Sequence, residues 1–232
     1  MTEVIPAIIP EYFAEIREHV ERVVQYVSRV QVDIMDGQFA PTKSWPFNER
    51  DRWTFEKLVH KEITLPHAKK LIYELDMMVE KPEEYIDDWI AAGFRALIIH
   101  IESTSALQSI IEKIRGKSGR RGERGAIEIG IAFKPGTPLE ALDEWIPHID
   151  FVQHMGNDNI GYHGVSLDSF VLPKITRLRE KYPELIIGID IGVTTETAPL
   201  LVESGANRLV SGSAIFNSEN IEETIKQFKA LG

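Results

Sequence analysis

Apolar residues recur along this chain in short runs, and between the runs lie segments whose apolar positions return every three or four residues. The runs are VIPAIIP (4 to 10), VQVDIMD (30 to 36), LIYELDMMV (71 to 79), RALIIHIE (95 to 102), AIEIGIAF (126 to 133), IDFVQHM (149 to 155), LIIGIDIGV (185 to 193) and RLVSGSAIF (208 to 216). Runs of this length bounded by turn residues predict strands, and the 3.6-residue period predicts amphipathic helices. The helices fall at roughly 11 to 28, 52 to 62, 82 to 93, 104 to 115, 138 to 147, 168 to 182, 195 to 204 and 220 to 231. Thr137 before PLEALDEW reads as a capping hydroxyl followed by proline and an acidic first turn. Gly93 in AAGF and Gly205 in ESGAN stand where helices stop. Eight strand–helix units without a linker or low-complexity segment predict one α/β domain spanning 1-232, a (β/α)8 TIM barrel. A doubly wound open sheet is the alternative.

The barrel gives meaning to RVQVDIMDGQFAP (29 to 41). Val30, Val32 and Ile34 alternate with Gln31, Asp33 and Met35, and in a barrel strand neither face meets bulk water. The apolar set suits the helix layer, so Gln31, Asp33 and Met35 point into the barrel near its C-terminal mouth. The same phase places Glu74, Asp76 and Met78 on one face of the third strand, puts His100 in register with Glu102, and ends the seventh strand at Asp190. Asp33, Asp76, His100, Glu102 and Asp190 thus converge on one rim. Singly, an aspartate at a strand end is commonly a turn or helix cap, a buried histidine a satisfied core residue, and a methionine a space filler. Independent caps have no reason to share one rim.

Composition narrows the function classes. Hydrophobic residues make up 43% and charged residues 27% of 232 positions, an ordinary globular balance. The net charge of −10 argues against a nucleic-acid surface. The one basic run, KIRGKSGRRGERG (113 to 125), reads as a solvated loop between a helix and a strand. With no cysteine, disulfides, thiol catalysis and cysteine metal sites are excluded. VIPAIIP is too short and too interrupted by proline for a signal or membrane segment, which points to a cytoplasmic protein with no membrane partner.

VDIMDGQFAP resembles the signature of the ribulose-phosphate 3-epimerase family, His-x-Asp-x-Met-Asp-Gly-x-Phe-x-Pro. The likeness continues through LDMMVEKPEEYIDDWIAAGF, IIHIE, IGIAFKPGTPLEAL, IDIGVTTETAPLLVESGAN and LVSGSAIF, nearly all of the chain after residue 28. It implies a metal-assisted isomerase that epimerises a ketose phosphate at C3, D-ribulose 5-phosphate to D-xylulose 5-phosphate. Asp33 and Asp190 match the family's general acid/base pair, and Gln31, Asp33, Asp76 and Asp190 stand where the family holds its metal. Both metal histidines are replaced, by Gln31 and Asp76, and the serine of the family's first strand by Pro10. An all-oxygen site favours Mg²⁺ or Mn²⁺ over Zn²⁺. Like charges at about 4 Å repel by about 4 kcal/mol per pair at an effective dielectric of 20, so three carboxylates call for a cation or a shared proton. A lysine or arginine in place of any metal is the alternative.

In such barrels phosphate is held by backbone N–H groups after strands 6 to 8. Gly161 and Gly164 in MGNDNIGYHG (155 to 164), Gly192 after strand 7, and Gly212 and Ser213 in SGSAIF match those places. Ile191 stands where the family has the first of two glycines. Met35, Met78, His100, Met155 and His163 are the expected pocket residues, the methionines covering the reacting carbon. In the long loop GQFAPTKSWPFNERDRW (37 to 53), Lys43, Trp45 and Trp53 could reshape the mouth or pack against another subunit, since the family resemblance suggests a homo-oligomer. Allulose 6-phosphate is a second candidate substrate. The other readings are a non-catalytic sugar-phosphate-binding barrel, because both histidines are gone, and a Mg²⁺-dependent lyase. The lyase ranks last, since ELDMMVE lacks the lysine of that group's third strand.

Overall fold

The computed structural model describes residues 2–119 and 121–232. Eight parallel strands close into a barrel in chain order, β1 (Glu3–Ile8), β2 (Arg29–Met35), β3 (Ile72–Met78), β4 (Ala96–His100), β5 (Glu128–Phe133), β6 (Phe151–Met155), β7 (Ile186–Asp190) and β8 (Arg208–Ser211). The open-sheet alternative is thereby excluded. Around the barrel run α1 (Phe13–Val23), α2 (Arg52–Val59), α3 (Ile86–Ala92), α4 (Leu107–Ser118), α5 (Val171–Lys181), α6 (Ala198–Glu203), a single turn α7 (Ser213–Phe216) and α8 (Ile221–Lys229). The buried face of α1 is Phe13, Ile16, Val20 and Val23, the spacing of one helical stripe. Gly93 ends α3 at φ +105°, a left-handed position that a Cβ would oppose.

One helix is absent. Where 138 to 147 predicts an α-helix, the chain makes two 3₁₀ turns, Leu139–Leu142 and Ile146–His148. Pro147 supplies no N–H to an α-helical ladder and disfavours helical backbone at Ile146, and the bonds that form are i→i−3, from Ala141 to Pro138 and from Trp145 to Leu142. Thr137 caps no helix. Its hydroxyl donates to Glu102, whose same carboxylate oxygen accepts from the Lys134 N–H at 2.8 Å. Glu102 therefore fastens the loop after β5 instead of joining the aspartates directly.

The period of two along β2 has the predicted physical cause. All seven of its residues are buried. Val30, Val32 and Ile34 belong to the core between barrel and helices, whereas Met35, Met78, Ile98, Ala132 and Met155 form a separate interior core. Below them the N-terminal end of the barrel is closed by charge. Arg29 pairs with Glu74 at 2.7 Å and Glu128 at 2.9 Å, and Arg208 with Glu3 at 3.0 Å and Glu74 at 3.1 Å. The Arg208 guanidinium also lies over the Phe151 ring, 4.2 Å from its centre. Gly130 makes room for that ring, since a Cβ there would sit 2.4 Å from it.

The loop 37 to 53 does not open the mouth with its tryptophans. Trp45 is fully buried against Phe13, Phe55 and Trp89, and its indole N–H donates to Thr54 Oγ1 at 2.8 Å. Trp53 is 56% exposed on α2, with the Lys57 ammonium 4.9 Å from its ring centre. Asp36 caps the turn that follows β2, accepting from Gln38 N at 2.8 Å, Phe39 N at 3.1 Å and Glu80 N at 2.8 Å. The basic run divides: Lys113, Arg115 and Lys117 lie in α4 and pair with Asp87 and Asp150, Arg121 pairs with Asp150 beyond it, and Arg120 lies outside the described residues. Among the described residues no helix is long and apolar enough to cross a membrane.

Candidate active site

Register brings the aspartates together. Asp33 pairs with Asp76 across β2 and β3, Met35 with Met78 one step higher, and Asp190 ends β7 beside Met155 of β6. Oxygens of Asp33, Asp76 and Asp190 lie within 4.8 Å of one another, and all three side chains are buried. Gln31 reaches up between two of them, its Nε2 donating to Asp33 Oδ1 and to Asp190 Oδ2, each at 2.8 Å. His100 Nε2 lies 2.9 Å from Asp76 Oδ1, and its Nδ1 is 4.0 Å from Glu102.

Burial and like charge act on this cluster in the same direction. Burial first, then the charges of Asp190 and Asp76, hold Asp33 well above the usual carboxylate range against the hydrogen bond from Gln31. Burial and the Asp76 charge push Asp190 up to about 7, opposed by the bonds from Gln31 and the Ile191 N–H and by His100. Both shifts make Asp33 and Asp190 hold a proton more readily than an isolated carboxyl does. Such shifts bring carboxyls toward the range in which they serve as acid and base.

A cavity of about 330 Å³ opens over the cluster. Asp33 and Asp190 line its floor with Met78 and Met155, and its walls carry Gly161, His163, Gly164, Gly192, Gly212 and Ser213. All the glycines expected to bind phosphate thus face the same space as the two aspartates expected to act as acid and base. Close approach explains several of them. A Cβ at Gly212 would sit 2.9 Å from the Ala7 carbonyl oxygen, and one at Gly161, where φ is +84°, 2.6 Å from Met35 Sδ. Thr42 donates to the Gly161 carbonyl at 3.0 Å, so the long loop after β2 pins the loop after β6. His163 is exposed at the rim, and partial burial together with His19 lowers its pKa.

Ile191 does not displace the turn after β7. It adopts φ +79°, a backbone that β-branched residues rarely take, at a cost of about 1–3 kcal/mol. The turn keeps the path a glycine would give it, and the Ile191 side chain becomes part of the cavity wall. Its carbonyl passes so near Gly156 that a Cβ there would be 2.0 Å away.

Sequence reasoning missed Gln153. On β6 it points inward while its neighbour His154 packs against Phe133 in the helix layer, 4.3 Å between ring centres. Gln153 Nε2 lies 3.1 Å from Asp76 Oδ2 and 3.3 Å from Asp190 Oδ2. The signal was present, because Gln153 precedes Met155 by two and shares its phase, as Gln31 and Asp33 precede Met35. Ser44 was missed for another reason: its hydroxyl accepts from Met35 N at 3.0 Å and donates to Asp33 O at 3.1 Å, a tie from a loop that no periodicity describes.

Fold and site together define a (β/α)8 barrel enzyme with buried carboxylates at the C-terminal mouth, where barrel active sites are built. The chain belongs to the ribulose-phosphate 3-epimerase family, whose model, described as "Ribulose-phosphate 3 epimerase family", matches residues 3–216. A ribulose-phosphate 3-epimerase of Schizosaccharomyces pombe is 31% identical over 225 residues, covering 96% of this chain and 90% of the relative. That of Bacillus subtilis is 28% identical over 235 residues and covers 99% of both. Among solved structures, 3-hexulose-6-phosphate synthase from Salmonella typhimurium superposes with a TM-score of 0.69 at 13% identity over 100% of this chain and 98% of that one, a likeness of fold alone.

Proposed function

We propose that this protein epimerises D-ribulose 5-phosphate at C3 to D-xylulose 5-phosphate, with Asp33 and Asp190 as the acid/base pair. The observation that carries the reading is that one cavity has both aspartates on its floor and the glycines after β6, β7 and β8 on its walls. Its volume of about 330 Å³ is at the lower end for small-ligand pockets, in keeping with a pentose phosphate. Allulose 6-phosphate, one carbon longer, is the second candidate substrate. The names of the curated relatives agree with an epimerase of pentose phosphates.

The chemistry follows from the carboxylates. Asp33 removes the C3 proton, and the electron pair left behind moves toward the C2 carbonyl to give an enediolate. Asp190 delivers a proton to C3 from the opposite face as the carbonyl re-forms, which inverts the centre. Met78 and Met155 cover the floor with apolar surface and keep water from the enediolate. The wall glycines let the backbone approach the phosphate and hold C3 between the two carboxyls.

The site also fits a divalent cation. Three carboxylate oxygens cluster within 4.8 Å, and the buried Gln31 Oε1 has no hydrogen-bond partner. Asp33, Asp76, Asp190 and Gln31 would hold the ion, and all are oxygen donors suited to Mg²⁺ or Mn²⁺. When bound it supplies positive charge against the enediolate oxygens. The absence of cysteine agrees with a cytoplasmic setting, although a relative from Arabidopsis thaliana is chloroplastic by name.

The test is proton NMR of ribulose 5-phosphate in D₂O. Deuterium should enter C3 with the parent protein, and Asp33→Asn or Asp190→Asn should abolish that exchange while phosphate-ester binding persists. Exchange retained in both variants would overturn the acid/base assignment.

A further inference from the structure

The cluster contains two amides, and each is half used. The Nε2 groups of Gln31 and Gln153 donate to carboxylates, each spanning two of them. The carbonyl oxygens, Gln31 Oε1 and Gln153 Oε1, are buried without any hydrogen-bond partner on side chains that are 0% exposed. A buried polar atom left unpaired costs about 1–3 kcal/mol. Two such atoms beside three carboxylates are not what stability alone would select.

A half-turn of the terminal amide exchanges its oxygen and nitrogen without changing its shape. The Gln31 oxygen would then stand 2.8 Å from Asp33 and Asp190 oxygens, and the Gln153 oxygen 3.1 Å from Asp76 and 3.3 Å from Asp190. Oxygens so placed repel one another unless a cation lies among them. The spacings bracket the edge of an octahedron with metal–oxygen bonds of 2.0–2.1 Å, which is about 2.9 Å.

We propose that Gln153 is a metal ligand through its amide oxygen, and that with Gln31, Asp33, Asp76 and Asp190 it completes an oxygen-only site for Mg²⁺ or Mn²⁺. The assignment rests on the metal-assisted reading above and extends it to a strand, β6, from which no ligand was expected. His100 is then a positioning residue. Its bond to Asp76 Oδ1 at 2.9 Å leaves Oδ2, the oxygen facing Gln153, turned toward the ion.

Calorimetric titration of the metal-free full chain with MnCl₂ and ZnCl₂ tests this, with Gln153→Leu and Gln153→His as variants and metal-free melting as the control for folding. Gln153→Leu should weaken Mn²⁺ binding 10- to 100-fold. Gln153→His places a nitrogen at the site and should raise Zn²⁺ affinity relative to Mn²⁺ at least tenfold. If the leucine variant fails to fold, the Zn²⁺-to-Mn²⁺ ratio of the histidine variant decides. No Mn²⁺ binding by the parent, parental affinity in the leucine variant, or an unchanged ratio in the histidine variant each overturns the assignment. Deuterium exchange at C3 is read separately: Mn²⁺ binding that depends on Gln153 without exchange keeps the ligand and sinks the epimerase. Exchange with Mn²⁺ binding indifferent to Gln153 does the reverse.

Discussion

Replacing Asp76 by asparagine removes one charge from the cluster while keeping the side-chain shape, and its effect on stability should change sign with pH. Asp76 accepts from His100 at 2.9 Å and from Gln153 at 3.1 Å, and after burial its charge is the largest cause of the rise of Asp190 from 3.8 to about 7. A carboxyl raised in this way stays protonated in the folded chain where the unfolded chain has already ionised it. The contribution to stability is therefore full below the unfolded value of 3.8 and is lost as pH rises toward 7. At 1.36 kcal/mol per pH unit the loss for Asp190 is roughly 4 kcal/mol above pH 7. Two charges within 4.8 Å of each other repel by about 3 kcal/mol or more at an effective dielectric of 20, so Asp76 accounts for a substantial part of it beside burial. Against that gain, asparagine presents an N–H where one of the two donors needs an acceptor, at about 1–2 kcal/mol.

Asp76→Asn should therefore stabilise the metal-free protein by about 1–2 kcal/mol at pH 8 and destabilise it by about the same amount at pH 5, where the repulsion is already relieved. Urea denaturation in EDTA at the two pH values, followed by circular dichroism, measures both. Excess Mn²⁺ should abolish the gain at pH 8, because an ion bound as proposed would supply the parent with a counter-charge. An equal effect at both pH values, or a larger loss at pH 8, would refute the electrostatic account of the cluster.

The remaining predictions concern the two ends of the barrel. Arg208→Met strands Glu74, which is 0% exposed, with Arg29 as its remaining cation, and should cost about 3 kcal/mol, lowering Tm by about 6–12 °C. Because the basal ion pairs lie at the opposite end from the cavity, kcat and KM at permissive temperature should hold, and a loss under about 1 kcal/mol would show that the cluster is not a structural plug. Gly212→Ala brings a Cβ to 2.9 Å from the Ala7 carbonyl and intrudes where phosphate is proposed to bind. KM should rise about tenfold, or 1.4 kcal/mol, with kcat little changed, and an unaltered KM would count against this wall as the phosphate end.

What the sequence determined by itself is the part that periodicity encodes. Period two, with one apolar face and one carrying an amide and a carboxylate, marked β2 as a barrel strand and placed Gln31, Asp33 and Met35 inward, because a strand has only two faces and the helices claim the apolar one. The same phase placed Asp76, His100 and Asp190, and the structure joins all of them in one network. The segment 138 to 147 shows the limit of pattern, since a helical period there resolves into two 3₁₀ turns, with Pro147 in the second unable to continue an α-helical ladder. Only the closed barrel decided which inward residues meet. Gln153 lies 122 positions from Gln31, and the two amides share the carboxylate of Asp190 solely because the sheet curls until β6 and β7 face β2 and β3. The sequence also could not tell that Trp45 turns into the core while Thr42, three residues earlier, reaches the Gly161 loop. Loop side chains follow no period, and their direction is set by whichever neighbours the fold brings within reach.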